Sequence, residues 1–346
     1  MLTKKRFTNI AVLMTTCIIL LMVDRVLLAL LGLPLWMADD KLHYKHRPNA
    51  IRSWNSYDDK PILINSHGHH DDEFPVEKPV HELRVLNLGD SITMGHGVTR
   101  DETYSNQLEQ LLIADSTLDY QSVQVINAGV QGYSTFQELE VLRRSFIFHP
   151  DLITVGFCLN DVTEPFVVNR RFGGTGLDYH RVAQTANPIL DYIYNETGYG
   201  RLAQEIRIRL GDVRKAKLKE AIDVRSMIQS RDSAQVQERW ELVQNDLEAL
   251  YQIAKQHDVP VILLIFPYTF QFNDVASRWP QQVLKAHAVA QDVDYIDFTD
   301  IFEKKLQRED GSINDYYLDE DHYTVHGHTV IAESIQEQML GKIKRK

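Results

Sequence analysis

Cysteine is scarce, with two residues among 346. Cys17 falls in an apolar segment and Cys158 in a predicted strand, which excludes a disulfide framework and a cysteine-ligated metal site. Positive charge is also short: the net charge is −11 and the pI ≈ 5.7. With no basic field and no basic groove interleaved with aromatics, nucleic acid is not an expected partner. The stretch Leu33-Pro34-Leu35-Trp36-Met37-Ala38 lacks an Ala-x-Ala pattern, which argues against a cleavable signal peptide. The chain is not short of apolar residues. At 44% hydrophobic it can bury one large core or two modest ones.

Residues 1–36 form the first unit. Lys4, Lys5 and Arg6 precede an apolar stretch from Thr8 to Leu31, longer than the ~20 residues needed to cross a bilayer. Asp24 and Arg25 lie towards its end, where long side chains reach the interface. An uncleaved anchor is expected, with a short charged tail inside and the large domain extracytoplasmic, the usual signal-anchor arrangement. Charge bias alone does not set this orientation, because Lys41, Lys45 and Arg47 follow closely. Residues 37–82 read as an extended arm, with Tyr44, Pro48, Trp54, Tyr57, Pro61 and Pro75 scattered among charges and no sustained period. Within the arm, Ser66-His67-Gly68-His69-His70-Asp71-Asp72 nearly matches the His-x-His-x-Asp-His run of metallo-β-lactamase-like hydrolases. Asp72 stands where the last histidine belongs, and only Ile62-Leu63-Ile64 offers a strand before the run. A solvated, locally hydrogen-bonded loop is the expectation here, not a metal site.

Residues 83–346 carry a different pattern. Arg84 to Gly89 is an apolar run that enters Gly89-Asp90-Ser91 and a glycine-bounded turn. Helical spacing follows over Thr103–Ala114. Val123–Ile126 is a short strand ending in Asn127-Ala128-Gly129, and Thr135–Phe148 reads as a helix stopped by His149-Pro150. A third strand, Asp151–Phe157, leads into Cys158-Leu159-Asn160-Asp161. Trp240–His257 is a helix, Val259–Phe266 and Val293–Phe298 are strands, and Gly327–Leu340 is the final helix. Strands separated by helices predict a parallel sheet covered on both faces. In such sheets, ligands bind at the carboxyl edge, where Ser91 falls.

Four separated blocks carry a resemblance to the SGNH/GDSL hydrolase superfamily: Gly89-Asp90-Ser91, Gly129, Gly156-x-x-x-Asn160-Asp161 and Asp319-x-x-His322. Their order and spacing are the specific feature, and they span residues 83–340 around a divergent middle. Ile92 replaces the leucine of the family name, a volume-conserving change. The anchor and arm resemble those of membrane-tethered members. The resemblance implies a three-layer α/β/α sandwich with a flavodoxin-like, five-stranded parallel sheet of order 2-1-3-4-5.

The residue types fit the implied chemistry. Ser91 needs a base, and His322 is the candidate. Asp319, three residues earlier, can fold its carboxylate onto the ring, and it is preferred over Glu320 and Asp321 mostly by the family pattern. His326 and His328 are rival bases, but they fall at the start of the last helix, where capping or surface placement is favoured. By similarity, the oxyanion donors are the N–H groups of Ser91 and Gly129 and the Asn160 amide. Asp90 and Asp161 are read as supports for the turns.

Residues 162–239 look like an insertion: a loop-rich, lid-like part over 169–199, then a locally basic helical part over 201–231. The expected activity is hydrolysis of an acyl ester through an acyl-serine, with short O-acyl groups on carbohydrate first and lipid second. No cofactor and no metal are expected. The alternatives are acyl transfer to an envelope polysaccharide and a silent binding protein of the same fold.

Overall fold

The computed structural model describes residues 4–52, 61–163, 187–210, 224–308 and 311–343. Helix α1 (Lys4–Leu31) opens the chain. Its stretch Arg6–Leu31 has mean hydropathy 2.2 and is long and apolar enough to cross a membrane. Two antiparallel pairs follow: β1 (Trp36–Asp39) with β2 (His43–His46), and β3 (Ile51–Arg52) with β4 (Ile62–Leu63).

The main domain is built on β5 (Glu82–Gly89), α2 (Ser91–Met94), α3 (Tyr104–Ala114), β6 (Ser122–Asn127), α4 (Thr135–Ser145) and β7 (Leu152–Phe157). After these come α5 (Pro188–Glu196), α6 (Gly198–Leu210), α7 (Ala234–Gln256), β8 (Val261–Ile265), α8 (Trp279–Ala290), β9 (Asp294–Asp297), α9 (Phe298–Arg308) and α10 (Val325–Ile343). Strands β5 to β9 form a five-stranded sheet of order β6-β5-β7-β8-β9. Every pairing is parallel. This is the 2-1-3-4-5 order that the resemblance implies. All residues of β5, β7 and β8 are buried, as strands covered on both faces must be. Helices α3 and α10 pack together, as do α4 and α7.

Several elements differ from expectation for local reasons. Helix α7 begins at Ala234, because Ser233 caps it by accepting from Val236 N at 3.3 Å. The last strand stops at Asp297, whose carboxylate accepts from Thr299 N at 2.9 Å and so starts α9, a helix that the sequence reading omits. Of the expected insertion, 164–186 and 211–223 lie outside the described residues, as do Trp54 and Tyr57 of the arm. The 187–199 part of the expected lid is helical and packs beside α1 through α6.

The arm is folded onto the main domain. Tyr44 is fully buried, and its hydroxyl donates to Gln131 O at 3.0 Å and Gly132 O at 2.8 Å. Tyr133 Oη donates back to Tyr44 O at 2.5 Å, and Gln137 Nε2 to Leu42 O at 2.8 Å. The histidine-rich run is not solvated: His69, His70 and Asp71 are buried. His70 Nδ1 bonds Met94 O at 2.8 Å, and His67 Nε2 bonds Phe74 O at 2.8 Å.

Asp71 serves the edge strand of the sheet. On β6 the outward N–H groups of Val125 and Asn127 would lack partners. They donate to Glu109 Oε2 at 2.7 Å and Asp71 Oδ2 at 3.0 Å. Burial pushes both carboxyls up to about 7. Each acid therefore holds a proton that its unfolded counterpart has lost, so its contribution to stability is full below about pH 4 and is lost as the pH rises through about 7. His69, which burial lowers to about 4, acts in the opposite sense between there and its ordinary value. The acids are isolated by comparing Asp71→Asn/Glu109→Gln with the wild type, since both amides still accept the N–H bonds. The melting temperature of the double variant should gain on that of the wild type as the pH goes from 5 to 8. A difference that does not change with pH would contradict this assignment.

Candidate active site

Ser91 begins α2 directly after β5, and the turn is held by hydrogen bonds to Asp90. Asp90 Oδ1 accepts from Ile92 N at 2.8 Å, and Asp90 Oδ2 accepts from Asn160 Nδ2 at 3.0 Å. One carboxylate thus caps the helix bearing the serine and orients the amide at the end of β7. Helix α2 ends after one turn at Gly95, whose φ of 87° is the left-handed cap that glycine supplies most cheaply.

On the other side of Ser91 lies the loop before α10. His322 Nε2 stands 2.8 Å from Ser91 Oγ, and His322 Nδ1 stands 2.8 Å from Asp319 Oδ2. The second oxygen of Asp319 accepts from the backbone N–H groups of Asp321 at 3.0 Å and His322 at 2.9 Å. The carboxylate is therefore fixed by its own loop while it holds the ring. Ser91 and His322 are 2% and 1% exposed, so the pair is recessed from bulk water.

The rival groups stand elsewhere. His328 Nδ1 accepts from Tyr104 N at 3.2 Å, and the ring of His326 lies 4.7 Å from that of Tyr316. Glu320 Oε2 accepts from Thr269 Oγ1 at 2.7 Å. Asp321 is closer, with an oxygen 3.5 Å from His322 Nδ1, which is beyond a strong hydrogen bond. Cys158 is no competing nucleophile: burial first, then the nearby Asp90, Asp321 and Asp161, pushes its thiol well up.

Of the three expected oxyanion donors, Ser91 N lies in the first turn of α2, where helical N–H groups have no intrahelical acceptor. Asn160 keeps a second amide hydrogen beyond the one given to Asp90. Gly129 N donates to Asn127 Oδ1 at 3.1 Å, so this group is already engaged. Gly129 has a steric role as well. A Cβ at this position would collide with the backbone of Met94 and Thr93 in α2.

The sequence reading misses one neighbour of the site. The His96 ring lies 4.5 Å from that of His322, and its Nδ1 is 3.3 Å from Gln131 Nε2. His96 follows Gly95 within the Ser91 block, so the only signal for it was its position just past the turn. The donor atoms of Asp319, Asp321 and His322 lie within 4.8 Å of one another, close enough for a cation. Both ring nitrogens of His322 are already engaged by Asp319 and Ser91, which fits a proton relay better than a ligand set.

Comparison with known proteins gives the family. The model of the GDSL-like Lipase/Acylhydrolase family matches residues 88–330. The chain belongs to this family. A member of the lipolytic protein G-D-S-L family from Veillonella parvula DSM 2008 is similar in structure, at 16% identity and TM-score 0.42, covering 74% of this chain and 97% of that one. A catalytic mutant of an acetylxylan esterase from Geobacillus stearothermophilus is similar at 16% identity and TM-score 0.44, covering 74% and 93%. A two-domain esterase active on acetylated mannans is similar at 13% identity and TM-score 0.44, covering 77% and 50%. No curated protein sequence matches the chain. As a GDSL-like acylhydrolase family member, the protein is a hydrolase of ester bonds by class.

The close approach at Gly129 has a measurable consequence. Gly129→Ala must push α2 away from the end of β6, an overpacking that costs roughly 1–3 kcal/mol. The expected result is a melting temperature several degrees lower. An unchanged melting temperature would show that the turn yields freely.

Proposed function

We propose that the protein is a membrane-anchored serine esterase that cleaves short O-acyl groups from carbohydrate through an acyl-enzyme. The observation that carries this reading is the unbroken chain Asp319–His322–Ser91, with 2.8 Å at both links. A hydroxyl so placed loses its proton to His322 Nε2 as it attacks the acyl carbonyl carbon, and Asp319 stabilises the imidazolium that forms. The oxyanion is met by Ser91 N–H, by the free hydrogen of Asn160 Nδ2, and by Gly129 N–H shared with Asn127 Oδ1. Collapse expels the alcohol, which takes the proton from His322, and leaves the acyl group on Ser91 Oγ. A water then gives its proton to His322 and attacks the acyl carbon. The acid leaves, and Ser91 recovers its proton. No step calls for a cofactor.

The recessed serine favours a small acyl group, and a broad cleft nearby favours a large alcohol. The cleft, ≈ 820 Å³, is lined by Arg225, Gln229, Phe270, Asn273 and Asp274 among others, and borders Thr269 and Glu320. Glu320 is the residue after Asp319, so the cleft adjoins the triad loop rather than containing Ser91. The Arg225 guanidinium lies over the Phe270 ring at 4.5 Å. Mixed polar and aromatic lining of this kind suits a sugar chain. Helix α1 is read as an uncleaved single span that keeps Lys4, Lys5 and Arg6 inside and places the catalytic domain outside the cytoplasm.

Kinetics on nitrophenyl acetate and butyrate test the roles separately. Ser91→Ala should abolish turnover, and Asn160→Ala should lower kcat by ~100–1,000-fold. Asp319→Asn should cost ~10,000-fold through the wrong tautomer of His322. Asp321→Asn, whose carboxyl lies outside strong hydrogen-bond range, should change the rate by less than ~10-fold. Acetate should be the faster ester. A folded wild type no faster than Ser91→Ala would overturn the esterase reading and favour acyl transfer or binding.

A further inference from the structure

The sequence reading puts α5 in a lid-like part and most of α6 in a locally basic helical part, yet their contacts run to the anchor. Helix α6 lies along the carboxyl half of α1. Gly198 N donates to Asp24 Oδ1 at 2.8 Å, and Tyr199 Oη donates to Leu20 O at 2.8 Å. A Cβ on Gly198 would strike Asp24, Leu27 and Leu28 of α1, so the two helices approach as closely as glycine allows. The one acid of the apolar segment thus caps the amino end of α6 and is buried there. The hairpin is tied to the arm too. Arg47 reaches Asn195 O at 3.0 Å and Glu196 Oε1 at 2.8 Å, while its Nε donates to Pro34 O at 3.1 Å.

The outer side of this hairpin is apolar. Ile189, Tyr192 and Ile193 form a helical stripe with Leu190 beside it, and Leu202 and Ile206 are one turn apart on α6. All are exposed, with Ile189 at 69%. Some of the charged groups nearby are drawn in, Arg201 and Glu205 as a buried ion pair and Glu196 by its bond to Arg47, while the Arg25 side chain stays exposed beside Asp24. On α1, Leu20, Leu21 and Val23 are exposed as well, and Leu20 is the residue whose carbonyl Tyr199 of α6 reaches.

Helix geometry gives its level. From Arg6 to Asp24 the rise is about 27 Å, close to the ~30 Å of a bilayer core. Asp24 therefore sits at the far interface, and Leu20 about 6 Å beneath it. Amphipathic helices that lie in the interface bury their apolar face to roughly this depth.

We propose that α5 and the start of α6 form a second membrane contact, a hairpin seated in the headgroup and upper acyl region of the leaflet facing the catalytic domain. The occupant of the apolar face is lipid. Together with the Asp24–Gly198 and Arg47 ties, this seating turns α1 from a tether into a fixed mount. The proposal rests on the reading of α1 as a bilayer span.

The test uses the full chain in vesicles of phosphatidylcholine and phosphatidylglycerol. A Cys17→Ser background keeps the buried Cys158, and single cysteines replace Leu13, Ile193, Leu202 or Val289 for attachment of an environment-sensitive nitrobenzoxadiazole dye. Nitroxide lipids then report depth. The dye at 193 and 202 should be blue-shifted and lose emission most to a shallow nitroxide, and at 13 most to a deep one. At 289, on exposed α8, it should lose little. Quenching at 13 but none at 193 or 202 beyond the level at 289 overturns the hairpin contact and leaves the anchor standing. Absence of quenching at 13 overturns both. Neither result bears on the esterase chemistry, which is read separately.

Discussion

Thr93 occupies the point where three strand ends converge on the first turn after β5. A Cβ on Gly89, Gly129 or Gly156 would run into Thr93, so the side chain fills a recess that only glycines leave open. Its hydroxyl accepts from Tyr104 Oη at 3.0 Å and donates towards Leu88 O at 3.4 Å. Because α2 is seated this deeply, Ser91 is presented at the carboxyl edge of the sheet with its N–H uncommitted to the helix. The ends of β6 and β7 are drawn in by the same contact, which places Gly129 and Asn160 around the serine. Three of the four sequence blocks meet because of this packing, and the fourth joins them through His322 and Ser91.

Two carboxylates then hold the assembly, and each uses both of its oxygens. Asp90 joins α2 to Asn160, and Asp319 joins its own loop to His322. Buried polar networks of this kind are stable when every member is satisfied and costly when one partner is lost. Orientation of the imidazole and of the amide is therefore a property of the fold, set before any substrate arrives.

Much of this was legible from residue order alone. The apolar runs that became β5, β7 and β8 are buried on both faces, which gives continuous rather than alternating patterns. Ser91, Asp319 and His322 stood in recognisable blocks and lie together in the structure. Contacts between residues far apart in sequence were not legible. Nothing local links Asp24 to Gly198, Tyr44 to the Gln131 carbonyl, or Asp71 to the edge of β6, so residues 37–82 read as an extended arm and α5 as part of a lid. His96 escaped notice because its place beside His322 depends on the left-handed turn at Gly95. The engaged state of Gly129 N–H is different: Asn127 accepts from the N–H two residues on, a local Asx turn that the sequence signals and the reading passed over.

The central claim is that Ser91 is an activated nucleophile by virtue of its contact with His322. A fluorophosphonate reacts with serines whose hydroxyl is deprotonated by a neighbouring base, and peptide mass mapping of the full chain locates the adduct. We expect a single phosphonyl group on the peptide bearing Ser91, and no adduct in His322→Ala. An unmodified protein, or an adduct that persists without His322, would contradict the account.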